Sequence, residues 1–207
     1  KSTSPFDDYG HGTHVAGTIA GSGALSVNPS YRGLAANVQH VVLQELDANG
    51  AGLTSDVVRA IDFAVANKSK FGIDVINLSL GHPIYEPAST DPLVQAVERA
   101  SKAGIVVLAP AGNNGVNPTT GQPGYAGINS PGNAPSAITV GAVATSNTVS
   151  RRDDRIPEYS WSGPTWYDAL AKPDLLAPGH RIISVGAKRS TIYRDYPNLR
   201  GNDVDYL

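Results

Sequence analysis

Short apolar segments with strand character alternate with helical patterns along most of this 207-residue chain, and this alternation constrains the fold more than any other feature. Strands separated by helices favour a parallel sheet, because parallel neighbours must be joined by a crossover connection. The sequence therefore predicts an α/β fold with a doubly wound, mostly parallel sheet and helices on both faces. Such sheets bind ligands beyond the carboxyl ends of their strands. The predicted strands are QHVVLQEL at 39–46, DVINLSLG at 74–81, IVVLAPAGN at 105–113 and AITVGAV at 137–143.

The predicted helices are marked by their apolar spacing and by their end signals. TSDVVRAIDFAVANKSKFG at 54–72 places its apolar residues on one helical face. The next helix begins with Asp91 as N-cap and Pro92 in the first turn, and Gly104 fits its C-terminal stop. A shorter helix can begin near His11, inside a Gly-rich segment. These helices supply the crossovers that a parallel sheet requires.

The composition excludes several classes of protein. Sixteen Lys and Arg against 18 Asp and Glu give a net charge of −2, so the chain has no electrostatic footprint for nucleic acid or a membrane surface. It has no Cys, which rules out disulfides, thiolate nucleophiles and zinc–thiolate sites. It also has no Met, so we expect a piece of a longer or processed protein. A doubly wound nucleotide-binding domain is disfavoured, because no Gly-x-Gly-x-x-Gly or Walker-type segment appears where that fold needs one.

His11 and His14 are the first candidate site residues. Their H-x-x-H spacing puts both on one face of a helix, as in some metal sites. The glutamate of an H-E-x-x-H motif is absent, and no acidic residue lies between Asp8 and Glu45 to complete a site. The residues alone therefore favour packed or surface histidines over a metal pair.

Five segments carry a family resemblance. HGTHVAGT resembles the histidine segment of the subtilisin-like serine proteases, and the other four follow in that family's order. Together they span the chain from position 7 to about position 185. The resemblance implies a subtilisin-like sheet that is incomplete at both ends, with residues 1–207 forming a partial peptidase domain. The other segments are DVINLSLG, APAGNNG, NSPGNAPSAITVGAV and KPDLLAPG.

The resemblance implies two catalytic roles within the chain. His11 matches the family's general base, and His14 matches a helix residue that supports packing. Asn113 matches the donor of the oxyanion hole, whose side-chain amide stabilises the tetrahedral intermediate. We expect His11 and Asn113 to meet across one cleft around the same scissile carbonyl.

The resemblance also implies where a substrate binds. Two short segments match the edges between which an extended peptide adds as a strand. A third group lies at the primary specificity pocket, which we expect to be mostly apolar and lined by backbone. There, Pro131 is expected to follow a cis bond, and Asn129 to lie at the base of the pocket. The substrate-binding candidates are Gly50, Ala51, Gly52, Ser79, Leu80, Gly81, Ala111, Gly112 and Pro131.

Two parts of a Ser–His–Asp triad are not found in the sequence. No Gly-Thr-Ser occurs, and the order of the matched segments places the nucleophile just beyond Leu207 and the triad aspartate before Lys1. Asp7 and Asp8 match acids that accompany the histidine motif. We therefore expect a serine endopeptidase that works through an acyl-enzyme, with this piece inactive by itself. The alternative is a protease-like module that binds peptides without cleaving them.

The resemblance further implies a polypeptide as partner, neither nucleic acid nor membrane, and secretion from the cell. It implies no certain cofactor and allows calcium as a structural ion. The region GSGALSVNPSYRG at 21–33 is where the family often holds calcium, but it carries no carboxylate, and calcium sites usually include Asp or Glu. We therefore assign no metal ligand.

Overall fold

The computed structural model describes residues 6–26, 31–115, 126–201 and 206–207. It divides the chain into two compact units, Lys1–Leu53 with Ile182–Leu207, and Thr54–Arg181. Within the described ranges, no helix has both the length and the apolar character needed to cross a membrane. The helices are α1 (His11–Ala20), α2 (Thr54–Ala66), α3 (Lys68–Phe71), α4 (Pro92–Lys102) and α5 (Thr191–Asp195), followed by a 3₁₀ turn (Pro197–Leu199). The strands are β1 (Val75–Asn77), β2 (Val106–Pro110), β3 (Ile138–Val143), β4 (Gly163–Pro164), β5 (Ala171–Lys172) and β6 (Leu175–Pro178).

The second unit contains the predicted parallel sheet. Four strands pair in the order β1-β2-β3-β6, all parallel. The register aligns Val75 with Val106, and Leu108 with Ile138. Three of the four predicted strands are thereby confirmed, although each is shorter than its apolar run. Strands β4 and β5 form a separate antiparallel hairpin.

The core of the second unit lies between α2, α4 and the sheet. The buried faces of both helices are those that the apolar spacing predicts. Asp91 caps α4 as predicted, since its Oδ1 accepts from the N–H groups of Leu93 at 2.8 Å and Val94 at 3.3 Å. Gly104, at φ +77°, follows the end of α4. The buried core residues include Val57, Ile61, Leu93, Val94, Ala96, Val97, Ala100, Val107 and Ala109.

The strand predicted at 39–46 is wrong, because the structure forms no strand there. Its central residues face outward, with Val42 74% exposed. No segment among the described residues pairs with it. An apolar run becomes a strand only when a neighbour completes its hydrogen-bond ladder.

Candidate active site

In the first unit, the N-terminus of α1 presents His11, its first residue. Asp7 fixes this helix start, because its carboxylate accepts hydrogen bonds from the Gly10 N–H at 2.7 Å, the Thr13 N–H at 2.7 Å and the Thr13 hydroxyl at 2.8 Å. Gly10 has φ +105°, and a Cβ there would lie 2.4 Å from Ser190 Oγ. Only glycine fits both the backbone conformation and the space. His11 is thus held on a capped helix end.

The electrostatic environment of His11 favours the uncharged form of its ring. Burial lowers its pKa and the nearby His14 lowers it further, while Asp7 raises it by less. No described residue hydrogen-bonds to the His11 ring, so both ring nitrogens have unused capacity. A neutral imidazole with a free nitrogen is able to accept a proton.

His14 has a different environment. Its Nε2 lies 3.0 Å from the carbonyl oxygen of Ile182. Because a carbonyl only accepts, this nitrogen carries the hydrogen and donates it. The contact ties α1 to residue 182 and agrees with a packing role. Among the described residues, no group of three or more His, Cys, Asp or Glu could hold a metal ion.

The Gly50-Ala51-Gly52 segment of the first unit is a tight turn closed by Asp47. The Asp47 N–H donates to Ala51 O at 2.8 Å, and Asp47 Oδ1 accepts from the Ala51 N–H at 3.1 Å. Gly50 has φ +74°, and a Cβ there would lie 2.5 Å from the Tyr9 ring. Within the described part of the chain, the N–H and C=O of Gly52 have no backbone partner. The turn therefore leaves an open backbone edge.

In the second unit, the Ser79-Leu80-Gly81 segment leaves the sheet at the carboxyl end of β1. The last bond to the neighbouring strand runs from the Leu78 N–H to Leu108 O at 2.9 Å. Beyond it, none of the three residues makes a backbone hydrogen bond to another described residue. His82 and Ser130 then exchange two backbone bonds, both 2.9 Å. The segment thus offers unpaired backbone beside residues 129–131.

The candidates for the specificity pocket come together in the second unit. The Asn129 N–H donates to Ala111 O at 3.1 Å. Gly112 has φ +115°, and a Cβ there would lie 3.1 Å from Asn129 Nδ2 and 3.3 Å from Trp161 Cδ1. The cis bond predicted before Pro131 is confirmed, and Pro131 is fully buried. Asn129 therefore contacts Ala111 through its backbone and Gly112 through its side chain.

Sequence reasoning missed Trp161 and the capping role of Asp7. A Cβ on Gly127 would fall 1.2 Å from the Trp161 ring, so this indole covers the glycine and forms part of the wall at Gly112. Nothing local in the sequence signals that contact. Asp7 lies three residues before the N-cap Gly10, so the usual signal, an Asp at the N-cap position itself, does not mark it.

Asn113 follows Gly112, three residues after the end of β2, and it is exposed. Its side chain makes no hydrogen bond to any described residue. The next anchor is the Gly115 N–H, which donates to Tyr159 O at 2.9 Å. The amide of Asn113 is therefore free to donate to a ligand. His11 belongs to the other unit, so their meeting across one cleft stays a prediction.

Comparisons with known proteins agree on one family. A model described as the subtilase family matches residues 2–207. The serine protease AprX of Bacillus subtilis (strain 168) is 40% identical over 197 residues, which cover 93% of this chain and 42% of that protein. Subtilisin E of the same organism is 40% identical over 183 residues, covering 88% of this chain and 40% of that protein.

Solved structures give the same answer for the fold. Sphericase matches with a TM-score of 0.70 and 27% identity, covering 96% of this chain and 64% of that one. The S41 psychrophilic protease matches with a TM-score of 0.70 and 26% identity, covering 96% and 65%. The chain spans less than half the length of the two curated relatives.

Proposed function

The chain belongs to the subtilase family, and we propose on that premise that the full-length protein is a serine endopeptidase. The observation that carries the proposal is the His11 ring, whose pKa is lowered by burial and which has no hydrogen-bond partner among the described residues. A general base needs both properties. It must be unprotonated, and one of its ring nitrogens must be available to take the proton. The serine nucleophile and the triad aspartate are proposed to lie in the full-length protein, outside residues 1–207.

The proposed reaction proceeds in two stages. A serine hydroxyl attacks the scissile carbonyl while His11 takes the hydroxyl proton, and the tetrahedral oxyanion accepts a hydrogen bond from the Asn113 amide. His11 then returns the proton to the leaving amine, which leaves an acyl-enzyme. Water hydrolyses the acyl-enzyme with His11 again acting as base. An aspartate hydrogen-bonded to the imidazole would fix its tautomer.

The substrate is proposed to be an extended polypeptide. Ser79-Leu80-Gly81 and Gly50-Ala51-Gly52 both present unpaired backbone groups among the described residues. An added strand satisfies such groups, so main-chain bonds supply affinity and the pockets supply specificity. Ala111, Gly112 and Pro131 would receive the side chain next to the scissile bond. The partner would then be a polypeptide rather than nucleic acid or a membrane, and secretion from the cell is proposed from the family alone.

Calcium remains a prediction. The described part of residues 21–33 carries no carboxylate, and residues 27–30 lie outside the described ranges. A calcium ion held by these residues alone would have only neutral oxygen ligands, whereas calcium sites usually include Asp or Glu. No step of the proposed reaction uses calcium.

The test uses the full-length protein and a fluorophosphonate label that reacts with activated serines. We expect covalent labelling of the wild type and none of His11→Ala. Asn113→Ala should lower kcat by about 10²–10³ with little change in KM, a magnitude that belongs to subtilisin itself, the established example of this effect. Asn114→Ala is the matched control, because it removes an adjacent exposed amide. Peptide binding without labelling would instead identify a binding module.

A further inference from the structure

A cavity of about 330 Å³ lies beside the proposed substrate strand in the second unit, and the charged side chains that line it are all acidic. Its wall includes His82, the residue directly after Gly81. It contains two carboxylates, and none of the residues that line it is Lys or Arg. Its volume lies at the lower end of the range for ligand pockets. The lining residues are Thr54, His82, Tyr85, Glu86, Asp91 and Pro92.

Asp91 brings an unsatisfied negative group to this wall. The residue is 2% exposed, and its Oδ1 is used by the N–H groups of Leu93 and Val94. Its Oδ2 is buried without a hydrogen-bond partner among the described residues. Pro92 has no N–H to offer it. A buried carboxylate oxygen without a donor is costly, so a positive group near the cavity would be stabilised.

His82 and Tyr85 add acceptors and an aromatic face. His82 Nδ1 lies 2.8 Å from Pro83 O. Since that carbonyl only accepts, Nδ1 carries a hydrogen, and in that tautomer Nε2 is an acceptor. The His82 ring stacks on Tyr85 with centroids 5.7 Å apart and planes 10° apart. Cations bind over the faces of aromatic rings, so these groups favour the same kind of ligand as the carboxylates.

The β4–β5 hairpin holds the cavity wall in place. The Tyr167 hydroxyl donates to Tyr85 O at 3.2 Å. Asp168 Oδ2 accepts from the Ala88 N–H at 2.9 Å. Both bonds reach the loop that carries Glu86, so this wall is braced without a ligand. A preformed site loses less entropy on binding.

We propose that this cavity binds the Lys or Arg side chain of a polypeptide substrate, with Glu86 as the contact and Asp91 as a supporting negative charge. The proposal rests on the proposed function, because the peptide must lie along Ser79-Leu80-Gly81 for its side chain to enter beside His82. Glu86 is half-buried at the cavity and can pair with a cation directly. Asp91 Oδ2 lies beneath the surface and acts through its charge. Arg or Lys would fill the space with an apolar stem and a charged end.

The experiment measures kcat/KM of the full-length protein on neutral fluorogenic peptides. Arg, norleucine or Glu is placed in turn at each of the four positions before the scissile bond. At one position we expect Arg to exceed norleucine about three- to tenfold, the range of a partly exposed ion pair with aromatic support, and Glu to be the poorest. Glu86→Gln should abolish the preference for Arg, and Glu86→Lys should reverse the order of Arg and Glu.

Asp91→Asn tests the second charge without removing the cap, because Asn and Asp cap helices equally well. It should reduce the preference for Arg without abolishing it. Glu158→Gln is the control, since it removes an exposed carboxylate that does not line the cavity. An Arg preference that survives all the Glu86 and Asp91 variants would overturn the proposal.

Peptide affinity separates this proposal from the proposed function. Fluorescence anisotropy with labelled Arg and norleucine peptides gives the ratio of Kd values whether or not the peptides are cleaved. Binding without cleavage would remove the endopeptidase assignment, and the ratio would still decide the preference of the cavity. Cleavage with equal affinity and equal kcat/KM for Arg and norleucine at every position would overturn the cavity proposal alone. Failure to bind any peptide would overturn both.

Discussion

The side-chain amide of Asn129 lies directly against Gly112, where a Cβ would come within 3.1 Å of Asn129 Nδ2. Gly112 also has φ +115°, a conformation that L residues rarely adopt. Glycine is therefore required twice at this position, by the backbone and by the neighbouring amide. The contact brings the loop after β2 against the segment before Pro131, at the proposed specificity pocket.

Gly112→Ala should be more destabilising than an ordinary substitution at positive φ. We expect a loss of about 3 kcal/mol in the free energy of unfolding, from backbone strain together with crowding at Asn129 and Trp161. Gly72→Ala is the matched control, because Gly72 has φ +63° and nothing within 4 Å of its Cβ. It should cost about 1 kcal/mol. Urea unfolding measures both, and equal losses would show that Asn129 and Trp161 move aside at no cost.

Asp174→Asn should be more destabilising than the loss of a surface ion pair. Lys172 Nζ, on a side chain 4% exposed, lies 2.7 Å from Asp174 Oδ2, which also accepts from the Thr139 N–H at 2.7 Å. Removing the carboxylate leaves a buried ammonium with Ala137 O as its remaining partner. Because Asp174 is 41% exposed, we expect a loss of about 2 kcal/mol, below the range for fully buried pairs.

The control for Asp174 is the Arg99–Asp62 pair, whose side chains are 47% and 48% exposed. Asp62→Asn should cost no more than about 1 kcal/mol. Thermal unfolding of both variants at one pH makes the comparison. Equal effects would contradict the importance of burial at Lys172.

Asp7→Ala should destabilise α1 and disturb the placement of His11. The carboxylate satisfies the N–H groups of Gly10 and Thr13, so we expect a loss of about 1 kcal/mol, as for other helix caps. Asp8→Ala is the control, because Asp8 is exposed and, among the described residues, only its backbone carbonyl is bonded, by the Thr191 N–H. Denaturant unfolding should give a clearly lower free energy of unfolding for Asp7→Ala than for Asp8→Ala.

The contribution of Asp7 should also depend on pH in a defined direction. Burial raises its pKa, but the hydrogen bonds from Gly10 and Thr13 outweigh burial and bring the pKa below its ordinary value. A carboxyl with a lowered folded-state pKa stabilises the protein above its unfolded pKa of about 4. That stability is lost as the pH falls through the folded-state pKa. In a His11→Gln background, where residue 11 cannot titrate, the difference in unfolding free energy between the parent and its Asp7→Asn variant should therefore stay constant from about pH 7 to 5 and shrink at lower pH.

Local signals in the sequence predicted much of the second unit. The apolar faces of α2 and α4 depend on helical spacing, and the Asp91 cap depends on residues within one turn. Local signals could not decide whether residues 39–46 form a strand. Their apolar run has the same composition whether or not a neighbouring strand pairs with it, and pairing depends on residues far along the chain.

The same contrast between local signals and long-range contacts holds for the candidate site. The family resemblance identified Ala111 and Gly112, and the structure brings both against Asn129, two residues before Pro131. Trp161 was missed because it meets Gly112 only through the tertiary fold. The cavity beside His82 was missed for another reason. Asp91 was predicted only as a cap, and its unused Oδ2 and the cavity that Asp91 and Glu86 both line become visible only once the loop is folded.

His14 and Asp7 change the pKa of His11 in opposite directions, so a substitution of each gives its own prediction. Burial and His14 lower the pKa of His11, while Asp7 raises it by a smaller amount. His14→Gln removes the side chain that lowers the pKa of His11, so the pKa of His11 should rise. It should remain below the ordinary value of about 6.5, because burial is the largest cause. Asp7→Asn keeps a cap but removes the negative charge, so the pKa of His11 should fall further.

The ring protons of His11, followed by NMR as the pH is changed, measure both shifts. In the active full-length protein, the acid limb of kcat/KM should move in the same directions, because protonation of His11 removes the base. Shifts of the same sign in both variants would show that a change of structure, rather than the charges of His14 and Asp7, controls the pKa of His11.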